Sequence, residues 1–363
     1  MAVSIVSDYV DDTCYSSELQ QVELESTTGS VEFRVYHQSE YDSSADGRTL
    51  IFSTLYNTVS SQAVAYDIGS LIEAYMLRNN YSVQQFVLYA ASGNQSDEKT
   101  LTVVYCKQEP EIFVSDLLND HFLTNSLSRL TYPTSKELLP YFGGFGNGYF
   151  TRQVTYTGVY VTEDGEIGEC SATSYGRSPY GVQSLNACYE YVMNALNTRI
   201  PEGAKLVKYT VTMGKRTARF YVCEQTLNLR QFIFRNAYNC RESITFVSAQ
   251  TTKTVSKSST AVCGDVMTQY DVRHTRSFEE QTPVLQKSRA LFLAEFLTSP
   301  QIFLPIDSVE HEVLITDYKH EVSDNPGEGN IIKFEWQFAS LRYPLTDDEY
   351  TRFFSSQYSE PFA

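Results

Sequence analysis

The sequence predicts a mainly β protein in which one β-sandwich module occurs twice and a distinct α+β domain follows. Three observations predict this fold class. The 363 residues include 27 Tyr and 21 Phe, types that favour half-buried strands. Several runs alternate apolar and polar residues, which is the period of a strand with one buried face. The order of these runs recurs after about 117 residues, as expected for an internal repeat.

The first copy begins with a strand-like alternation at residues 31–37. An Asp-Gly turn at 46–47 follows, and this dipeptide between strand-like runs is a strong hairpin signal. Residues 67–76 place apolar side chains on one helix face, with Asp67 as the expected N-cap. Two further predicted strands complete the copy, at 86–89 and 101–106.

The second copy repeats this order. Its predicted elements are a strand at 154–161, an Asp-Gly turn at 164–165, a helix-period run at 185–196, and strands at 206–211 and 219–223. The two Asp-Gly turns are 118 residues apart, and Cys106 and Cys223 at the strand ends are 117 apart. Each copy therefore has the size of an immunoglobulin or fibronectin type III sandwich, with one crossover helix as a variation.

A Gly-rich stretch at residues 143–148 lies between the copies. A dinucleotide-binding loop needs a strand before it and a helix after it. Here a predicted strand follows, so the stretch is interpreted as a linker or sharp turn.

The C-terminal third does not keep the 117-residue register and predicts a separate α+β domain. Residues 251–260 are rich in Ser, Thr and Lys and predict either a linker or an exposed strand pair. A helix is expected to begin at Thr282 and Pro283, as N-cap and first residue. Its predicted face consists of Val284, Ser288, Leu291, Phe292 and Phe296. Strand-like runs at 312–318 and 332–338 predict a long hairpin on this helix.

These predictions divide the chain into six segments. They are an N-terminal arm (1–30), β module 1 (31–142), a Gly-rich linker (143–153), β module 2 (154–249), the α+β domain (250–344) and a C-terminal tail (345–363). The tail is acidic and aromatic, and is interpreted either as a docking arm that orders on a neighbour or as a frayed terminus.

Charge and cysteine content exclude several classes of function. The net charge is -16, whereas a protein whose main ligand is nucleic acid needs clustered Lys and Arg. The N-terminus lacks the basic and apolar regions of a secretory signal, and no apolar run reaches the length of a membrane span. The seven Cys contain no CxxC pair, which favours reduced thiols over a zinc site.

The sequence predicts no catalytic, cofactor-binding or metal site, and hence no enzyme. The GxSxG motif of hydrolases is absent. Cys106 and Cys223 occupy matching positions in the two copies and are interpreted as core residues. The acidic residues Asp42, Asp46 and Asp67 lack the spacing of a calcium loop.

The other charged clusters are interpreted as solvated. Acid–base chemistry requires carboxylates that face a cleft and have shifted pKa values, so the adjacent acidic pairs are taken as surface loops. These pairs are Glu279-Glu280 and Asp347-Asp348. The basic cluster consists of Lys205, Lys208, Lys215, Arg216 and Arg219. It is interpreted as a solvated hairpin turn, with contact to an acidic partner as the alternative.

Three features together resemble tail, hub or baseplate proteins of tailed phages that infect gut Bacteroides, including crAss-like phages. They are the repeated β modules, the segment Phe-Ile-Phe-Arg-Asn-Ala-Tyr-Asn-Cys-Arg-Glu-Ser at 232–243, and the capped helix before a long hairpin. The resemblance implies a structural component of the virion tail, made in the host cytoplasm. It implies other virion tail proteins and copies of itself as partners, in a ring-like homo-oligomer, and it transfers no catalytic residues.

Two other classes compete with this interpretation. A bacterial surface adhesin or carbohydrate-binding protein with tandem sandwiches would explain the repeat and the aromatic residues, but it predicts a signal peptide or lipobox. A hydrolase with accessory β domains predicts a nucleophile or metal constellation, and the sequence shows none.

Overall fold

The computed structural model describes residues 3–6, 12–39, 47–106, 111–224, 227–263, 265–307, 309–322 and 329–340. For residues 256–258, 263, 268 and 270–275 it describes the backbone alone. Asp42 and Asp46, and with them part of the predicted hairpin turn, lie outside these residues. The whole predicted tail and the pair Asp347-Asp348 also lie outside them.

The first module is a two-layer β sandwich with one helix. Its elements are β1 (Val3–Val6), β2 (Thr13–Tyr15), β3 (Gln21–Ser26), β4 (Ser30–Gln38), β5 (Arg48–Asn57), β6 (Gln62–Tyr66), α1 (Ile68–Arg78), β7 (Val83–Ser92) and β8 (Gln95–Val104). One sheet has the order β2-β8-β7-β4-β5, and the facing sheet has the order β1-β3-β6. Strand β2 runs parallel to β8, and every other pair in the module is antiparallel.

Alternation in the sequence produces the core between these two layers. Alternate residues of β3 and β4 are buried, so that Leu24 from one sheet and Phe33 from the other share one apolar core. Helix α1 contributes Ile72 and Met76 to this core. The start of α1 lies so close to the preceding chain that a Cβ on Gly69 would be 2.3 Å from the Ser16 carbonyl oxygen. Only glycine permits this approach.

The second module has the same strand order as the first. After α2 (Val114–Asp120) come β9 (Ser128–Thr131), β10 (Leu138–Phe142), β11 (Tyr149–Val161), β12 (Ile167–Pro179), β13 (Val182–Asn186), α3 (Tyr189–Leu196), β14 (Lys205–Met213) and β15 (Arg216–Val222). The larger sheet is ordered β9-β15-β14-β11-β12, with β9 parallel to β15, and β10 pairs with β13. Each strand of the second module matches one of the first, in which β1 is the one additional strand, and this correspondence confirms the predicted repeat.

The strand order is that of an immunoglobulin-type sandwich. Strands β3 and β6 lie in one sheet while β4, β7 and β8 lie in the other, as strands B and E lie apart from C, F and G in that fold. The helix of each module lies in the connection between the strands equivalent to E and F, from β6 to β7 and from β13 to β14. The predicted sandwich with one crossover helix is therefore confirmed.

The C-terminal domain is an α+β unit with a different topology, as predicted. Its elements are β16 (Leu229–Arg235), β17 (Arg241–Val247), β18 (Ala249–Cys263), β19 (Val266–Gln281), α4 (Lys287–Leu297), β20 (Ile302–Ile306), β21 (Val309–Lys319) and β22 (Lys333–Phe338). They form one sheet of order β17-β16-β20-β21-β22-β19-β18. The edge strands β17 and β18 are joined through Ser248 alone, so the sheet curls until its two ends approach each other.

The strand pairing groups residues differently from the predicted segments. Residues 1–30, predicted as an arm, supply β1, β2 and β3 to the first sandwich. Residues 128–142, assigned to module 1, form β9 and β10 of the second sandwich. Residues 229–247, assigned to module 2, form β16 and β17 of the third sheet. Each segment pairs with strands far away in sequence, and periodicity reports only the local pattern.

The Gly-rich stretch is a tight connection between β10 and β11, as predicted. Gly144 and Gly146 adopt positive φ values of +91° and +148°, which favour glycine. Phe145 between them packs on Phe142 with ring centroids 4.9 Å apart. Strand β11 begins at Tyr149, so the connection is shorter than the predicted linker.

Two helices begin later than predicted. Helix α3 begins at Tyr189, and Leu185 belongs to β13. Helix α4 begins at Lys287 because the preceding segment is extended and bonded to the strand-like segment before β22. Leu285 N–H donates to the Asn330 carbonyl at 2.8 Å.

The predicted helix face and the predicted cap are only partly correct. Phe292 and Phe296 of α4 are buried, whereas Val284 precedes the helix and is exposed, and Leu291 lies on the exposed face of the helix. Asp67 does precede α1, but its φ is +60° and its side chain makes no capping hydrogen bond.

Candidate assembly surface

A two-stranded ribbon extends from the third domain. Strands β18 and β19 pair with each other over nearly their whole length, up to Cys263 and Val266 at the tip. Strand β19 pairs with the neighbouring strand β22 only from Phe278 to Gln281. The remaining residues, 253–277, have no third strand in the described part of the chain. We call this segment the ribbon. The exposed strand pair, one of the two predictions for 251–260, is thus confirmed.

Beyond its root, where Ser277 is buried and Lys253 pairs with Glu335, the ribbon exposes most of its described side chains. A strand with one buried face shows alternating burial, but residues 251–255 are all exposed. Residues 259–262 and 265–267 are exposed as well. The exposed side chains include apolar ones near the tip, with Val262 68% and Met267 70% accessible. An exposed, unsupported strand pair with apolar side chains is typical of a surface that meets a partner.

The length and charge of the ribbon set it apart from the rest of the molecule. At about 3.3 Å per residue, the 11 residues from 253 to 263 span roughly 35 Å. The ribbon contains four Lys or Arg and two Asp, a net charge of +2, whereas the whole chain carries -16. The ribbon is therefore a basic projection from an acidic chain.

A buried carboxylate holds the root of the ribbon. Glu280 in β19 is fully buried and accepts hydrogen bonds from the Ser248 hydroxyl at 2.5 Å and the Gln250 amide at 2.9 Å. The Arg230 guanidinium of β16 also bonds to it, at 3.3 Å. The same Glu280 oxygen accepts the indole N–H of Trp336 at 3.3 Å. This one side chain therefore joins both ribbon strands to β16 and to β22.

Aromatic packing supports the same root. Phe278 stacks on Trp336 with ring centroids 4.2 Å apart. Trp336 also meets Phe232 of β16 edge to face at 5.8 Å.

Burial raises the pKa of the Glu280 carboxyl, and its hydrogen bond from Ser248 and the charge of Arg230 oppose that rise. The adjacent Glu279 is instead half-solvated and forms an ion pair with Lys253 at 2.6 Å. The interpretation of Glu279-Glu280 as a solvated loop is therefore wrong for Glu280.

A buried polar network fixes the third domain to the second module. Glu242 of β17 is fully buried and forms a close salt bridge with Arg129 of β9, whose side chain is 1% accessible. Glu242 also accepts hydrogen bonds of 2.6 Å from the Thr124 hydroxyl and from the Asn236 amide. Asn236 in turn donates to the Leu123 carbonyl at 2.7 Å. A buried charge pair is stable only with such additional hydrogen bonds, and here they are present.

Helix α4 adds a second carboxylate to this junction. Glu295 accepts the backbone N–H of Ala237 at 2.7 Å and the Asn125 amide at 3.4 Å. Burial, reinforced by the nearby negative charge of Glu242, raises the pKa of Glu295 to about 7. Arg129 lies over the face of Phe292 at 5.2 Å from its ring centroid, so the network is covered by apolar surface from α4.

The first module is joined at the same place. The Asn239 amide donates to the Tyr81 carbonyl at 2.9 Å. Tyr238 and Cys240 pack into an apolar cluster with Tyr15 and Leu117. The turn between β16 and β17 thus touches both sandwich modules. The segment 232–243, which carried the resemblance to phage tail proteins, supplies most of the junction.

The basic cluster predicted as a solvated turn is only partly solvated. Arg216 is partly buried and donates to the backbone carbonyls of His121 and Phe142, each at 3.0 Å, and to that of Leu118. Lys215 pairs with Asp120 at 2.7 Å on the surface, and Lys205 with Glu224.

Of the two cysteines interpreted as core residues, Cys106 is buried and Cys223 is only partly buried. Across the described residues, no group of three or more His, Cys, Asp or Glu is arranged to hold a metal ion. Within the same part of the chain, no helix is both long and apolar enough to cross a membrane.

The sequence singled out neither the ribbon nor the junction as functional. The signals that mark them are the Ser/Thr/Lys-rich run at 251–260 and the acidic residues inside apolar strands.

No protein-family model matches the sequence, and no curated protein matches it significantly. Among solved structures the chain is similar to native alpha-2-macroglobulin from Escherichia coli spanning domains NIE-MG1, with 8% identity and a TM-score of 0.20, over 61% of this chain and 96% of that one. It is also similar to the calcium binding domain CBD12 of CALX1.1, with 10% identity and a TM-score of 0.19, over 59% and 79%. At these TM-scores neither similarity carries an argument.

Proposed function

We propose that this chain is a structural component of a tailed-phage virion, in the tail hub, baseplate or tail junction, and that it acts through contacts between subunits. The observation that carries this proposal is the ribbon. A two-stranded ribbon is marginal in water on its own, and this one exposes Val255, Val262, Val266 and Met267. A partner that covers the ribbon would stabilise it and remove this apolar surface from water.

The rigid base of the ribbon supports an assembly role. The Glu280 root and the junction around Glu242 tie the ribbon-bearing domain to the second module, so the ribbon has a defined direction relative to the sandwiches. A projection on one copy that meets a different surface on the next copy makes a head-to-tail contact, and such contacts close into rings when the rotation allows. The proposed partners are copies of this chain and other virion tail proteins.

The test is the state of the purified full-length chain. Size-exclusion chromatography with light scattering and negative-stain electron microscopy are expected to show a ring or another large homo-oligomer. A monomer at all accessible concentrations that binds a defined glycan on an array would overturn the proposal. That result would favour the second candidate, a surface adhesin or carbohydrate-binding protein, which the two immunoglobulin-type modules in tandem support.

A further inference from the structure

We propose that the ribbon of one copy pairs with the free edge of β12 in the second module of another copy. This inference rests on the proposed function, because it names the surface that receives the ribbon. Strand β12 is the last strand of its sheet, so one side of its backbone has no partner strand in the described part of the chain. Free edges of this kind accept strands from other molecules.

Length and charge favour β12 over the corresponding edge of the first module. Strand β12 has 13 residues, which suits the 11 to 12 residues of each ribbon strand. Four carboxylates lie at its beginning and in the preceding turn: Glu163, Asp164, Glu166 and Glu169. All four residues are exposed, and none of their carboxylates forms an ion pair with another described residue. The loop before the equivalent edge strand β5 is also acidic, but β5 itself has 10 residues, with Arg48 and no carboxylate, whereas β12 contains Glu169.

One antiparallel register of β19 against β12 matches charges at both ends. It places Arg273 opposite Glu169, and Arg276 then falls beside Glu166. Opposite charges on facing strand positions stabilise pairing. At the other end of β12 the same register places Asp265 directly opposite Arg177. The basic root of the ribbon thus meets the acidic end of β12, and its acidic tip meets the basic end.

The same register brings exposed apolar side chains together. Val266 and Met267 near the ribbon tip come next to Tyr175 of β12, which is 69% accessible. Pairing would bury this apolar surface on both copies. One side chain has to move: the Arg199 guanidinium donates a hydrogen bond to the Ser171 carbonyl at the β12 edge. Because Arg199 is a long exposed side chain, removing it with Arg199→Ala is expected to strengthen association.

The test uses two charge-reversed forms of the full-length chain. The edge variant carries Glu166→Lys and Glu169→Lys, and the ribbon variant carries Arg273→Glu and Arg276→Glu. Each variant alone places like charges on both sides of the contact. Each is therefore expected to raise the Kd of self-association at least tenfold. An equimolar mixture restores opposite charges at every contact and is expected to associate like the wild type. Glu23→Lys with Glu25→Lys, exposed positions of β3, is the matched control and should change nothing.

Sedimentation velocity separates the outcomes, and Trp336 fluorescence and circular dichroism establish that each variant is folded. Restoration by mixing supports the proposed pairing. An edge variant that self-associates like the wild type overturns β12 as the receiving surface, while a ribbon variant that has lost association leaves the ribbon's role standing. If a folded chain with a shortened ribbon also associates like the wild type, the proposed function itself fails.

Discussion

The indole N–H of Trp336 donates a 3.3 Å hydrogen bond to the carboxylate of Glu280, where the ribbon leaves the curled sheet. Trp336 is the one tryptophan in the sequence, so its fluorescence reports directly on the folding of the domain that bears the ribbon. The same residue pair connects β22 to β19, the two strands that pair where the ribbon joins the sheet.

Removing the root carboxylate should destabilise this domain. Glu280→Ala leaves Arg230 and several hydrogen-bond donors without their acceptor, and breaking a buried charge pair costs about 3 kcal/mol. We expect urea unfolding followed by Trp336 fluorescence to show a loss of this size. The neighbouring Glu279→Ala removes only a surface ion pair with Lys253 and should cost less than about 1 kcal/mol. Equal losses in the two variants would contradict the role of Glu280.

The junction between the second module and the third domain should behave as a coupled pair. Arg129→Met leaves buried Glu242 without its cation and should cost about 3 kcal/mol. Glu242→Leu leaves Arg129 with only the more distant Glu137, at 3.7 Å, and should also be destabilising. The double variant removes both charges, so its loss should be smaller than the sum by more than about 1 kcal/mol. A double-mutant cycle in urea measures this coupling. Additive losses would show that the salt bridge does not hold the junction.

Stability should fall as pH rises toward neutrality. Burial raises the pKa of Glu295 to about 7, above the usual value of 4.5, so the folded chain holds a proton there more tightly than the unfolded chain does. Its stabilising contribution is complete below about pH 4.5 and is lost as pH rises through 7. Glu295→Gln should flatten the pH dependence of the unfolding free energy between pH 5 and 7.5. An unchanged slope in this variant would contradict the assignment.

Much of the fold could be predicted because its signals are local. The period-2 alternation in β4 lies within a short window, as does each of the similar patterns that end at Cys106 and Cys223. The observed strands follow these patterns. The segment boundaries could not be predicted in this way. Strand β2 pairs with β8, and β9 with β15, across most of a module, and these partners are set by tertiary packing rather than by local pattern.

The ribbon and its root could not be predicted from the sequence for a similar reason. Residues 251–260 permitted two interpretations, since a solvated linker and an exposed strand share a polar, β-branched composition. Glu280 resembles any surface acid until the curled sheet brings Arg230, Ser248 and Trp336 around it. Buried polar networks of this kind depend on residues far apart in sequence, which a pattern search does not connect.

The most direct test of the assembly role shortens the ribbon without disturbing its root. Residues 256–274 are replaced by Asn-Gly, a two-residue hairpin turn between Val255 and Thr275, which face each other in the register. The Glu280 hydrogen bonds and the Trp336 stacking remain in this variant. Sedimentation velocity of the two proteins at equal concentration is the measurement. We expect a large homo-oligomer for the wild type and a folded monomer for the shortened chain; an identical oligomer for both would contradict the account.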